Sequence, residues 1–306
     1  MGGDVAAKAP LAPGLYLVAT PIGNLEDMTL RGLRILASVD RIACEDTRQT
    51  RKLLDHYGIA TPTLSYHMHN ETGRAAELTE ALTAGGRIAV VSDAGTPGIA
   101  DPGVEIVRTA LAAGVTVYPI PGANAALSAL IASGLPTEQF RFHGFLPSKE
   151  GSRRTVLEVL RGSSSTLQTS DPGTTKPTGQ TDIFYETPHR ILDALADIIA
   201  ILGPQQPVVL ARELTKLHEE FLRGTAEEVL ATLAGRERQR GEMVLLLGPQ
   251  PASTERSAAL SIAEAVAALV RNEQLSEKDA LKRIAKERGL GKSDAYREWQ
   301  RGSRKR

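Results

Sequence analysis

One cysteine, Cys44, stands in a chain of 306 residues. A lone thiol excludes an internal disulfide framework and fits a reducing cytoplasm, the expected location. Six histidines, with no C-x-x-C and no H-E-x-x-H, give no zinc-ligand pattern, so no metal is expected. Aromatic residues are only 4% of the chain, which leaves the core to Leu, Val, Ile and Ala. No apolar run approaches ~20 residues, so no membrane span is expected. The opening M-G-G-D-V-A-A-K-A-P lacks the apolar stretch of a signal peptide and reads as a flexible leader. Two phosphate-binding signatures are also missing. There is no G-x-G-x-x-G after the first strand and no G-x-x-x-x-G-K-[ST], which disfavours nicotinamide dinucleotides and triphosphates. Net charge is zero, which by itself argues against a nucleic-acid partner. The distribution is uneven, however. Residues 282 to 306 hold ten Lys/Arg against three Asp/Glu, an asymmetry that fits an anionic partner or a merely solvated basic terminus.

What the chain does have is a Gly/Pro-rich turn after three of its early apolar strands. T-P-I-G-N follows Leu15 to Val18, S-D-A-G-T-P-G-I-A-D-P-G follows Ile88 to Val91, and P-I-P-G-A-N follows Val115 to Tyr118. Ligands of open α/β sheets bind beyond the carboxyl ends of the strands. The three turns are therefore expected along one edge of one sheet, as a small-molecule site built largely from backbone. Each turn alone is equally well a structural corner.

The first 120 residues alternate strand and helix, which predicts a parallel sheet with helices on both faces. Asp27 is positioned to cap the first helix, Glu45, Asp46 and Thr47 the second, and Asn70 the third. The segment 14–120 is thus read as an N-terminal α/β domain. A second α/β domain is expected over 121–250. It has a mixed, partly antiparallel sheet, with strands near Phe140, Ile183, Val208, Glu220 and Met243 and fewer helices between the later ones. Residues 161–182 contain ten Ser/Thr and one large apolar residue, Leu167, and read as a disordered insertion. Residues 255–306 read as a small basic helical module. Ser276 and Asp279 are placed as a capping pair, a last helix carries Tyr296 and Trp299, and a turn at Gly289 to Gly291 suggests a helix-turn-helix-like pair.

Backbone groups, small hydroxyls and Asp93 suit a zwitterionic ligand carrying adenine and ribose better than a polyphosphate. The ordered stretches LYLVATPIGNLEDMTLRGLRIL, IACEDTRQTRKLL, VVSDAGTPGIADPG and YPIPGANAALSALIASGLP closely resemble the tetrapyrrole-methylase superfamily. The C-E-D-T-R and E-T-P-H-R stretches are similar to its ribosomal-RNA branch rather than to the porphyrinoid C-methylases. The resemblance runs over about residues 14 to 248, with the insertion as the main departure. It implies a two-domain tetrapyrrole-methylase-like fold, typically a homodimer, that uses S-adenosylmethionine (S-adenosyl-L-methionine). The implied activity is methylation of the ribose 2′-oxygen of a cytidine in the decoding centre of 16S ribosomal RNA, within the small ribosomal subunit.

The same resemblance implies cofactor contacts at Pro21, at Ser92, Asp93, Ala94 and Gly95, at Ile99, Ala100 and Asp101, and at Pro121, Gly122 and Ala123. From the second domain it implies Phe145, Leu146, Tyr185, Ala211, Arg212, Glu213, Gly241 and Glu242. Asp93 is the expected polar anchor, and Gly95 is expected to be needed because a side chain would exclude the ligand by bulk. Glu45 and Asp46 after the second strand, and His67, His69 and Asn70 after the third, are the candidates for the catalytic base. Asp46 and Asn70 read equally as helix caps. Arg31, Arg34, Arg48, Arg51 and Lys52 are the candidate RNA-binding cations, or else a solvated helix face. A porphyrinoid C-methylase and a non-catalytic cofactor- or RNA-binding protein remain the competing readings.

Overall fold

The computed structural model describes residues 11–68, 70–163, 179–250, 262–273, 276–287, 291, 295–297 and 299–300. His69, most of the 161–182 insertion, Gly289 and the first ten residues lie outside this set. The chain divides into two compact units, Met1–Pro249 and Gln250–Arg306.

The first unit carries two five-stranded sheets. Strands β1 (Gly14–Val18), β2 (Arg41–Cys44), β3 (Thr63–Ser65), β4 (Arg87–Val91) and β5 (Val117–Ile120) form the first, in the order β3-β2-β4-β1-β5. All its pairings are parallel. A parallel sheet needs crossover helices and is covered on both faces, so its central strands are apolar on both sides. β1 and β4 show this as nearly unbroken burial. Helices α1 (Leu30–Leu36) and α2 (Thr47–His56) cover one face through Ile35, Leu36 and Leu54. Helices α3 (Glu71–Thr83) and α4 (Val104–Ala112) cover the other through Ala75, Leu78, Ile106 and Ala110.

The second sheet contains β6 (Phe140–Phe145), β7 (Thr181–Glu186), β8 (Pro207–Arg212), β9 (Glu220–Thr225) and β10 (Met243–Leu247), ordered β6-β7-β10-β8-β9. β6 and β7 are parallel, and the remaining pairings are antiparallel, as the mixed-sheet reading requires. Helix α5 (Ala125–Ser133) packs Ala126, Ala129 and Leu130 on one face. The other face is covered by α6 (Glu150–Ser163), α7 (Ile191–Leu202) and α8 (Ala226–Ala234). More helices intervene here than expected. Only β8 and β9 are joined directly, as a hairpin.

Three local readings need correction. Asp27 caps no helix; it ends a short 3-10 turn, Leu25–Asp27, and Thr29 caps α1 by accepting from Gly32 N–H. Asn70 stands at the start of α3 but makes no capping bond; its side chain turns back to His67 N–H and Ser65 C=O. Both ends of 161–182 have regular structure where disorder was expected. α6 runs through Ser163, and β7 begins at Thr181, whose buried hydroxyl donates to Pro136 C=O at 2.7 Å. In the second unit, helices Ile262–Glu273 and Glu277–Glu287 share an apolar core with Ala295 and Trp299. Ser276 accepts from Asp279 N–H at 3.2 Å, the expected cap.

One buried ion pair ties the outer helices of the second sheet. Arg153 of α6 meets Asp197 of α7 at 2.6 Å, each side chain less than a tenth exposed, and Arg154 adds a contact at 3.1 Å. Removing one member leaves a buried charge unpaired, which costs ~3–5 kcal/mol. Asp197→Ala should therefore lose about 3 kcal/mol of unfolding free energy in urea titration. The double variant Arg153→Met, Asp197→Leu should lose much less.

Candidate active site

The site forms where β4, β1 and β5 end side by side. The turns beyond them are laced to each other by backbone. Thr20 N–H donates to Gly95 C=O at 2.9 Å, and Gly95 N–H donates to Thr20 C=O at 3.0 Å. The Thr20 hydroxyl donates to Ser92 C=O, and the Ser92 hydroxyl to Gly95 C=O. On the far side the Thr96 hydroxyl donates to Ala123 C=O at 3.1 Å, and the Asn124 amide donates to Thr96 at 3.2 Å. Gly95 sits at φ +81°, and a Cβ there would lie 3.2 Å from Ile22. A Cβ on Gly122 would lie 2.9 Å from the Ala19 methyl. Beside the reason expected for Gly95, exclusion of the ligand by a side chain, its left-handed backbone disfavours a side chain by itself.

A cavity of about 580 Å³ opens between these turns and the second sheet. Asp93, Ala94, Gly95, Ile99, Ala100 and Asp101 line it from the first sheet. Phe145, Tyr185, Ala211, Glu213, Gly241 and Glu242 line it from the second. Pro21, Ser92, Pro121, Gly122, Ala123, Leu146 and Arg212 are not part of the lining. Of these, Ser92 and Ala123 build the turns, Leu146 is core, and Arg212 pairs with Glu220. The sequence reading missed Ile22, Thr96, Asn124, Ala125, Glu186, Thr187, Pro188, Leu214, Lys216, Met243 and Val244. Several lie inside the quoted stretches, one or two residues from those named, so alternation within each turn was the available signal. Lys216 carried no such signal, because it reaches the cavity from a hairpin loop.

The lining is acidic. Asp93, Asp101, Glu186, Glu213 and Glu242 face it, against Lys216 alone among the lining cations. Burial pushes the Asp101 carboxyl up to about 6, and the nearby Glu45 and Asp93 carboxylates push the same way. Glu186 is also raised by burial, although Arg190 grips it in a bidentate pair and bonds Leu146 C=O as well. Lys216 bridges Glu213 at 2.8 Å and Glu242 at 3.1 Å, and its hydrogen bond holds Glu213 below the usual carboxylate range. Gly241 lies so close to Glu213 that any side chain would overlap it. The hairpin carrying this pair is strained, with Glu213 at φ +49° and Thr215 at φ +66°.

The candidate bases continue the same sheet edge, beyond β2 and β3. Burial raises the Glu45 carboxyl, Asp93 raises it further, and His67 opposes the shift. Asp46 is engaged elsewhere. It caps α2 at Arg48 N–H and pairs with the Arg48 guanidinium at 2.7 Å, which holds its carboxyl at about 2. Its own N–H donates to Asp93 at 3.1 Å, joining the β2 loop to the turn after β4. Among the cations, Arg31 and Arg34 lie on α1, and Arg48, Arg51 and Lys52 on α2. Arg51 is occupied by Asp55 at 2.8 Å and by Ile59 C=O, Lys52 donates to Gln49, and the Arg48 side chain is 86% exposed.

The family model for tetrapyrrole (corrin/porphyrin) methylases matches residues 14–230. A protein of Halalkalibacterium halodurans named ribosomal RNA small subunit methyltransferase I is 47% identical, over 92% of this chain and 93% of its own. A protein of that name from Escherichia coli O157:H7 is 47% identical, over 79% of each chain. Among solved structures, diphthine synthase matches with a TM-score of 0.56 at 14% identity, over 76% of this chain and 89% of its own. Uroporphyrin-III C-methyltransferase from Thermus thermophilus matches with a TM-score of 0.51 at 19% identity, over 78% and 94%. These two likenesses speak for the fold alone. By sequence over most of its length, the chain belongs to the tetrapyrrole methylase family, in the branch of the ribosomal RNA small subunit methyltransferase I proteins.

Proposed function

We propose that the protein transfers a methyl group from S-adenosylmethionine to small-subunit ribosomal RNA, at the ribose 2′-oxygen of a cytidine in the decoding centre of 16S RNA. The observation that carries the reading is the charge of the cavity: five carboxylates line it, and two of them, Asp93 and Asp101 on the first-sheet side, have no ion-pair partner among the described residues. Such a lining repels a polyphosphate and favours a ligand with a sulfonium and an ammonium. Apolar walls from Ile22, Ile99, Leu214 and Val244, with the rings of Phe145 and Tyr185, suit an adenosyl group. The residues present therefore fit the cofactor, with Asp93 to Gly95 and Ile99 to Asp101 holding it from one sheet and Tyr185, Ala211 and Glu213 from the other. The names of the close relatives supply the RNA substrate.

The cofactor, when bound, supplies an activated methyl group. The protein's task is to place the acceptor oxygen in line and to take its proton. Positioning alone can supply ~7–11 kcal/mol of the barrier. Glu45 is the proposed base, because burial strengthens it and His67 lies within its electrostatic reach. Asp46 and Asn70 then organise the surrounding loops. Arg31, Arg34, Arg48, Arg51 and Lys52 offer the phosphate track, with Arg48 the most available. Two α/β domains, 14–120 and 121–250, carry the reaction in this reading, with the basic module 255–306 as a second RNA contact. It makes the protein a cytoplasmic homodimer.

Labelled S-adenosylmethionine with unmodified small subunits and with free 16S RNA tests the reading directly. The expected product is a 2′-O-methylcytidine in the decoding region, mapped by mass spectrometry. Transfer to a porphyrinoid instead, or to neither RNA, would overturn it. Glu45→Gln should lower the rate of transfer by ~10²–10⁴-fold, with a far smaller change in cofactor affinity. The Asp101 shift gives a pH dependence. Its raised carboxyl is neutral below about pH 6 and ionised above it, and a cationic ligand favours the ionised form. Cofactor affinity should therefore rise between pH 5 and 7 and level off beyond. Calorimetry should show that Asp101→Asn flattens this profile.

A further inference from the structure

Helix α4 begins immediately after the turn that carries Ile99, Ala100 and Asp101 to the cavity. The first N–H groups of a helix need outside acceptors. Gly103 occupies the cap position at φ +143° and has no side chain to offer. The acceptors come from another element. One carboxylate oxygen of Glu71, at the start of α3, accepts from Gly103 N–H and from Glu105 N–H, both at 3.2 Å. It also accepts from the Tyr66 hydroxyl at 3.0 Å. That hydroxyl accepts in turn from Ile106 N–H at 3.2 Å. Tyr66 is fully buried, and its own N–H donates to Cys44 C=O at 2.8 Å, just before Glu45. Burial, reinforced by Glu71, raises the tyrosine pKa, so the hydroxyl remains a donor.

The helix start is thus held by a carboxylate about thirty residues upstream in sequence, which also matches the positive end of the helix dipole. The segment it anchors is strained. Ala100, lining the cavity, has φ +61°, a conformation an alanine keeps only when its surroundings enforce it. The same carboxylate begins the helix that follows His67 and Asn70, on the acceptor side of the sheet edge.

We propose that Glu71 is a positioning residue for the cofactor subsite: through Gly103, Glu105 and Tyr66 it fixes the Ile99–Asp101 segment against the ligand and joins it to the loop after β3. Glu71 touches neither the cavity nor the reacting atoms. Its effect is on where Ala100 and Asp101 stand. This inference rests on the cavity being the S-adenosylmethionine site.

The test is cofactor binding by calorimetry on the full chain, with thermal melting and steady-state transfer in parallel. Glu71→Ala should weaken cofactor binding at least tenfold and raise the cofactor KM in proportion, with kcat within about threefold. Glu71→Gln keeps an oxygen acceptor for the two N–H groups and should recover most of the affinity. Glu71→Asp keeps the charge but shortens the reach, so it should bind weakly while remaining folded; it decides the matter if the alanine variant does not fold. Wild-type affinity in a folded Glu71→Ala or Glu71→Asp variant, even with a lowered melting temperature, would reduce Glu71 to a structural cap and overturn the proposal. Equal losses in the alanine and glutamine variants would overturn it as well, since the acceptor atom would then be irrelevant. If the wild-type protein itself fails to bind S-adenosylmethionine, the functional reading falls and this inference falls with it. Binding by the wild type with no effect of the variants removes this inference alone.

Discussion

Two backbone hydrogen bonds between Thr20 and Gly95 hold the site together. They close the turn after β1 onto the turn after β4, two strands that are already neighbours. Neither turn has regular structure of its own, so each would otherwise leave buried peptide groups unpaired, at a cost of ~1–3 kcal/mol per group. The pairing demands a left-handed residue at 95, and the approach of Ile22 keeps that residue small. Thr96 and Asn124 extend the lacing to the turn after β5. The result is a rigid backbone wall that presents carbonyl, amide and short side-chain groups to one cavity.

Charge decides what such a wall can hold. Glu45, Asp93 and Asp101 interact along the first sheet's edge, and burial keeps Asp101 reluctant to ionise. On the opposite wall Lys216 compensates Glu213 and Glu242, and Arg190 compensates Glu186. The uncompensated negative charge is therefore concentrated on the first-sheet side. A cationic group seated there relieves repulsion among carboxylates that are already present, whereas an anion would add to it.

The parallel sheet, the mixed second sheet and the order of the three turns were legible in the sequence because they rest on local signals. Apolar runs mark the strands, and Gly/Pro clusters mark the turns that follow them. The resemblance then carried twelve of its implied contacts into the cavity lining, among them Asp93, Asp101, Tyr185 and Glu213. What the sequence did not show depends on contacts between distant segments. Lys216 reaches the cavity only because the β8–β9 hairpin folds over it, and Glu71 caps a helix that starts over thirty residues later. Asp27 shows the opposite error. It is a good capping residue in a plausible place, but Asn24 and Thr29 take the caps because a short 3-10 turn intervenes. Propensity names the residues able to cap; tertiary placement chooses among them.

The cations on α2 show the same principle at work in function. Arg48, Arg51 and Lys52 look equivalent in sequence, each able to meet a phosphate. In the folded chain they differ. Arg51 is locked between Asp55 and Ile59 C=O, so moving it to a phosphate would break a helix-surface pair and expose a carbonyl. Arg48 is tied only to Asp46, and its side chain is almost fully in water, where such a pair adds little. A phosphate can displace that contact cheaply. Doing so would leave the Asp46 carboxylate with its cap bond to Arg48 N–H, while its own N–H stays bonded to Asp93 in the turn after β4. An RNA phosphate at Arg48 would then act on the same short loop that carries Glu45, so substrate contact and the proposed base share one structural element.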